Sequence, residues 1–294
     1  MNTKFIIQFT ILSFIGLISC EKSAEETEVP VVVEKIFPLT DAANTAKWSL
    51  KENLSDEFDG TAINESKWLV QGTNGVYQSN SYGRAPSQYS TKNASVKDGK
   101  LIVSVKWEPE FPFLTTLDKF GVKYENYTSS AVICKSDFLY GYMETRAKVA
   151  DASVSSSFWA TGSGSELDIF EHFGKPSIRS EAKIKLETEM WSSIHDWSAA
   201  GQGKSVWTNK SQLPFRVADD FHVYGCEWDK DFLKFYADGK LIKEVTRLEA
   251  GDGWVVVNPL KLWVNSVTWS WHGLPVQSDL PSSFQIDYIR VWQK

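Results

Sequence analysis

The chain has 294 residues, 42% hydrophobic and 14% aromatic, with 37 acidic against 31 basic side chains and a net charge of −6. That is enough apolar material for a sizeable core, and one large all-β domain can absorb most of it. No basic stripe runs along the sequence, which argues against nucleic acid as a partner.

Residues 1–20 read as a targeting segment and not as fold. Lys4 supplies the positive charge, and Phe5 to Ile18 is an apolar run too short for a comfortable transmembrane helix. The run ends Leu17-Ile18-Ser19-Cys20, which resembles a bacterial lipobox. That resemblance implies cleavage before Cys20, acylation of Cys20, and a lipid anchor in the bacterial cell envelope as the chain's one membrane contact. Residues 21–45 carry Glu21, Glu25, Glu26 and Glu28 ahead of Pro30 and read as an acidic, flexible tether. Past Cys20 only Cys134 and Cys226 remain. They either pair or stay as separate buried thiols, and neither lies in a pattern that would hold structural zinc.

From residue 46 to 294 short strands alternate with turn residues. Val96-Lys97-Asp98-Gly99-Lys100-Leu101 holds an Asp-Gly turn between apolar segments, and Tyr236-Ala237-Asp238-Gly239-Lys240-Leu241 repeats it. Both are hairpin signals. Between Tyr140 and Val149 the side chains alternate, with Tyr142, Glu144, Arg146 and Lys148 on one face and Met143, Ala147 and Val149 on the other. No long stretch keeps helical periodicity. The expectation is an all-β domain, a β-jelly-roll sandwich of two antiparallel sheets.

The stretch Ser165-Glu166-Leu167-Asp168-Ile169-Phe170-Glu171-His172-Phe173 sets three carboxylates among apolar residues suited to a buried strand. Strand side chains alternate, so Glu166 and Asp168 share a face. A regular strand would turn Glu171 into the core, where an unpaired carboxylate is costly. A one-residue bulge near Ile169-Phe170 restores the phase and lines up all three acids. Outer acids roughly 5–5.5 Å apart suit a retaining glycosidase. His172 then points to the opposite face and is structural.

With these residues in hand, the domain is seen to resemble glycoside hydrolase family 16 over about residues 48–294. The resemblance is carried by Ser55-Asp56-Glu57-Phe58-Asp59-Gly60, Tyr140-Gly141-Tyr142-Met143-Glu144, Ser157-Phe158-Trp159, the acidic strand, Phe235-Tyr236-Ala237-Asp238-Gly239 and Ile286-Asp287-Tyr288-Ile289-Arg290-Val291-Trp292, in the family's order. It implies a cleft on the concave sheet, Glu166 as nucleophile, Glu171 as general acid/base and Asp168 assisting between them. His195 matches a cleft histidine that would bind substrate or orient Glu171. Trp159 matches an aromatic under the cleaved sugar, and Trp191, Trp197, Trp269 and Trp271 lie in segments that could line the cleft. Trp228 and Trp292 read as core.

Gly83-Arg84-Ala85-Pro86 and Trp269-Ser270-Trp271-His272-Gly273 look like the branch of agarases, porphyranases and carrageenases. The expected substrate is thus a red-algal galactan, with Arg84 pairing with a sulfate or a hydroxyl. The alternatives are a laminarinase on β-1,3-glucan and a carbohydrate-binding protein without turnover. The resemblance requires no cofactor for catalysis. It allows a structural calcium at Gly99 and Asp287, and a monomer is expected.

Overall fold

The computed structural model describes residues 36–294, so the expected targeting segment, Cys20 and residues 21–35 lie outside the described part. Two antiparallel sheets face each other. The back sheet runs in the spatial order Ala94–Lys97, Lys100–Trp107, Ser282–Gln293, Gly141–Lys148, His222–Trp228, Phe232–Ala237 and Lys240–Thr246. The cleft sheet runs Trp68–Val70, Tyr127–Phe138, Leu260–Thr268, Val154–Gly162, Ser165–Phe173, Glu189–Asp196 and Lys204–Gln212. This is the jelly-roll sandwich that the spacing of short strands anticipated. Both Asp-Gly turns take positive φ at each residue, the conformation a tight right-twisted hairpin needs.

Alternation decides what lies between the sheets. Phe158, Leu167, Ile169, Phe170, Met190 and Val264 pack against Met143, Ala147, Cys226, Phe235, Phe284 and Val291 in one core. Trp228 belongs to this core. Cys134 and Cys226 are separate buried thiols, so no disulfide links them.

The other face of the back sheet shows where the expected tether ends. Tyr142 and Trp292 point outward there, and such apolar surface needs cover. Residues 36–48 supply it. Trp48 joins Tyr142 and Trp292 in a separate cluster, flanked by Ile36 and Ala46. The Trp292 indole donates to the Ile36 carbonyl (2.9 Å), and the Leu39 amide donates to Glu144 (3.0 Å). The tether predicted through residue 45 is therefore corrected from Ile36 onward, where the chain docks on the domain.

Candidate active site

The acidic strand lies at the centre of the cleft sheet, and its register contains the bulge. On one side Glu166 faces His195 and Asp168 faces Ser193, after which the pairing jumps to Glu171 with Trp191. On the other side Asp168 faces Trp159 and Phe170 faces Phe158. Ile169 is the extra residue, and both Ile169 and Phe170 are 0% exposed in the core. Two successive side chains go inward, so Glu171 returns to the face of Glu166 and Asp168. His172 turns inward, fully buried, with Nδ1 3.0 Å from the Glu189 carbonyl oxygen. Burial drives its pKa down to about 3, which fits a neutral structural histidine.

The three acids open into a cleft of about 1070 Å³, whose lining includes Arg84, Lys119, Trp159, His195, Trp197, Asn265 and Trp269. His195 Nε2 lies 3.1 Å from Asp168 Oδ2 and 3.9 Å from Glu166 Oε1. Its Nδ1 faces the Gly203 carbonyl oxygen at 3.3 Å, and the Ser193 hydroxyl donates to Asp168. Burial opposes a charge on His195, but the Asp168 hydrogen bond and the Asp168 and Glu166 charges outweigh it and hold the imidazole up at about 9. The expectation that His195 orients Glu171 is thus corrected. It serves the other two acids, because register sets it opposite Glu166.

Burial, reinforced by the Asp168 charge, pushes Glu166 and Glu171 up to about 8 each. The two are not equivalent. Glu166 has the His195 charge, the Trp197 indole N–H at 2.9 Å on Oε2 and the Lys119 charge, all of which favour its ionised form. Glu171 has no hydrogen bond among the described residues; Asp168 and Glu166 oppose its ionisation, and the His195 and Arg84 charges favour it to a lesser degree. The Trp197 hydrogen bond therefore favours an ionised Glu166 over an ionised Glu171.

Trp159 lies on the cleft floor beside Asp168, with its indole donating to Asn265 Oδ1 (2.7 Å) and its ring 4.8 Å from that of Trp263. Arg84 sits over Trp269, its guanidinium carbon 3.5 Å from the ring centre. Burial pulls Arg84 below its usual value, which starts high enough that the group remains a cation.

Trp191 and Trp271 do not join the cleft lining, contrary to expectation. They stack on each other at 5.4 Å and 19°. The Lys210 and Lys183 ammonium groups lie 3.7 Å from the Trp191 and Trp271 ring centres. Phe173 packs edge-on against both rings, and each tryptophan is half-buried.

The residues proposed for calcium fit poorly. Pairing of Ile286 with Leu101 brings Asp287 beside the Gly99 turn, but Arg146 holds the Asp287 carboxylate at 2.8 Å. A guanidinium there already supplies the positive charge an ion would bring. Among the described residues, the one close group of three metal-capable side chains is Glu166, Asp168 and His195. Sequence reasoning missed Lys119, which sits in the irregular stretch after Trp107, and missed the bond from Trp197 to Glu166. The short spacing from His195 to Trp197 was the one available signal for the latter.

A jelly roll with three aligned acids across a bulged strand, open to a long cleft, defines a retaining glycoside hydrolase of family 16. Within it, the chain belongs to the family described as β-porphyranase A–D, GH16 domain, whose model matches residues 48–294. It is 29% identical to β-porphyranase B of Phocaeicola plebeius, over 91% of this chain and 91% of that protein. It is 28% identical to β-porphyranase B of Zobellia galactanivorans, over 84% and 85%. The crystal structure of porphyranase B from Zobellia galactanivorans superimposes with a TM-score of 0.68 at 26% identity, covering 84% of this chain and 92% of that one.

Proposed function

We propose that this enzyme cleaves β-linkages inside porphyran, a sulfated red-algal galactan, by double displacement. The observation that carries the choice of polymer is Arg84. Its guanidinium is held over Trp269 in the cleft, with no ion-pair partner among the described residues. A half-buried cation without a paired acid leaves its donors free for a sulfate ester. The names of the relatives point the same way.

In the first step an oxygen of ionised Glu166 bonds to the anomeric carbon while the glycosidic C–O bond breaks. The Glu171 proton goes to the departing oxygen. In the second step Glu171, now a carboxylate, takes a proton from water. The water oxygen bonds to the anomeric carbon and Glu166 is released. Asp168, held by Ser193 and His195, lies between the two, and its charge opposes ionisation of Glu171.

The test is reducing-end release from porphyran, agarose, κ-carrageenan, furcellaran and laminarin by the full chain, with Glu171→Gln as control. Release from porphyran by the wild type alone supports the proposal. Release from agarose or laminarin alone keeps the mechanism and overturns the polymer.

The remaining expectations form part of the same proposal. The enzyme is a monomer, tethered to the cell envelope by lipid on Cys20, and needs no cofactor. Cys20→Ala should release it from membranes and abolish labelling with radioactive palmitate. Dialysis against EDTA should leave both turnover and Tm unchanged.

A further inference from the structure

Trp197 follows the Glu189–Asp196 strand, and its ring is 39% exposed, so burial alone does not hold it. It is nevertheless fixed from several sides. Its backbone amide donates to the Gly164 carbonyl (2.7 Å). Gly203, at φ +77°, comes so close that a Cβ there would lie 2.1 Å from the Trp197 ring. Only glycine can fill that position, for backbone conformation and for space. Lys119, from a different loop, sets its ammonium 4.0 Å from the centre of the indole. The Gly203 carbonyl also faces His195 Nδ1. One glycine therefore seats two of the three groups that favour an ionised Glu166.

We propose that Trp197 is a positioning residue for Glu166, whose indole N–H fixes one carboxylate oxygen and favours the ionised form of the acid. This rests on the reading of Glu166 as nucleophile. The N–H binds Oε2 at 2.9 Å, which leaves Oε1, 3.9 Å from His195, as the oxygen that attacks. In the glycosyl-enzyme ester Oε2 becomes the carbonyl oxygen. When water displaces the sugar, charge returns to the carboxylate with the donor already in place. The same bond therefore serves both steps. The other charged groups facing Glu166 are Asp168 and Glu171 on its own strand, His195 on the next, Lys119, and Arg84.

The experiment compares the full chain with Trp197→Phe, which keeps an aromatic ring and removes the N–H. A hydrogen bond to an ionised group is worth about tenfold or more, so kcat/KM on porphyran should fall by about that factor with KM nearly unchanged. The acid limb of the kcat/KM profile should move to higher pH, because the lost bond favoured the carboxylate. Gly203→Ala, which displaces the ring, should move the limb the same way. A fall in rate with an unmoved acid limb would overturn the proposal, as would an unchanged rate.

A second measurement needs no substrate, so it separates this inference from the choice of polymer. Carbon-13 titration of the glutamate carboxyls, with Glu166 assigned through Glu166→Gln, should show a higher Glu166 midpoint in Trp197→Phe. An equal midpoint overturns the inference even if porphyran is cleaved. A higher midpoint upholds it even if another polymer is the substrate. If Trp197→Phe does not fold by circular dichroism, Trp197→Leu, which keeps apolar bulk, removes no charge and also lacks the N–H, takes its place. It should raise the midpoint in the same way, and no rise counts against the proposal.

Discussion

Glu144 and Glu171 are both glutamates on central strands, one in each sheet, and burial raises the pKa of both. Their surroundings differ. Glu144, 1% exposed, meets donors on every side: the Tyr288 hydroxyl at 2.9 Å, the Leu39 amide at 3.0 Å and the Tyr142 hydroxyl at 3.5 Å. Glu171 meets two like charges and an open cleft. One carboxylate is satisfied and pins the N-terminal segment to the sheet. The other holds a proton it is ready to lose. Burial of an acid is common to both, and the partners determine whether it anchors the fold or carries out chemistry.

The sharpest way to break this comparison is to remove each acid in turn. Glu171→Gln and Glu166→Gln should each cut kcat by about 10³-fold or more while Tm holds or rises, since crowding of like charges is relieved. Reducing-end assays and calorimetry read the two effects. His195→Ala should cost about 10- to 100-fold in kcat/KM and shift the acid limb upward, because a cation beside Asp168 and Glu166 is lost. Glu144→Ala should do the reverse of the catalytic changes. It leaves buried donors unpaired, costing about 1–3 kcal/mol and lowering Tm by several degrees at unchanged kcat.

The smallest expected effect is the dependence of stability on pH. Glu166 and Glu171 bind protons more tightly in the folded chain, their pKa rising from 4.5 to about 8, and His195 rises from 6.5 to about 9. Each contribution is complete below the unfolded value and is lost as pH climbs through the folded one. Tm should therefore fall from about pH 6.5 to pH 9, and Glu171→Gln should flatten the decline; below that window the buried His172 and His272, lowered from 6.5 to about 3 and about 4, pull the other way. A Tm that rises over that range would mean the acids are not crowded as described.

The sequence made the strands legible because alternation reports which face a side chain takes. It also made the bulge legible, since two apolar residues stood where one would do and an acid would otherwise have been buried. It could not report what meets a face from elsewhere in the chain. Trp191 is on the cleft face, as its pairing with Glu171 requires, yet Trp271 arrives from a distant loop and covers it. Asp287 was available to a cation on paper, but the neighbouring strand brings Arg146. Residues 36–45 are too short and irregular to signal docking, and only the outward-facing Tyr142 and Trp292 explain it.

The extra residue at Ile169 has a consequence for how such a strand can vary in length. Removing one residue between Asp168 and Glu171 would straighten the strand and leave strict alternation, with all three acids still facing the cleft. The last acid would stay opposite Trp191 and Ser157, because the bulge already sets the extra residue against a single partner position. An insertion or deletion elsewhere in the strand would reverse the faces of everything beyond it and bury an acid. This strand can therefore gain or lose a single residue at one place and keep its acids in line, because the bulge absorbs the change and the positions opposite the neighbouring strands stay the same.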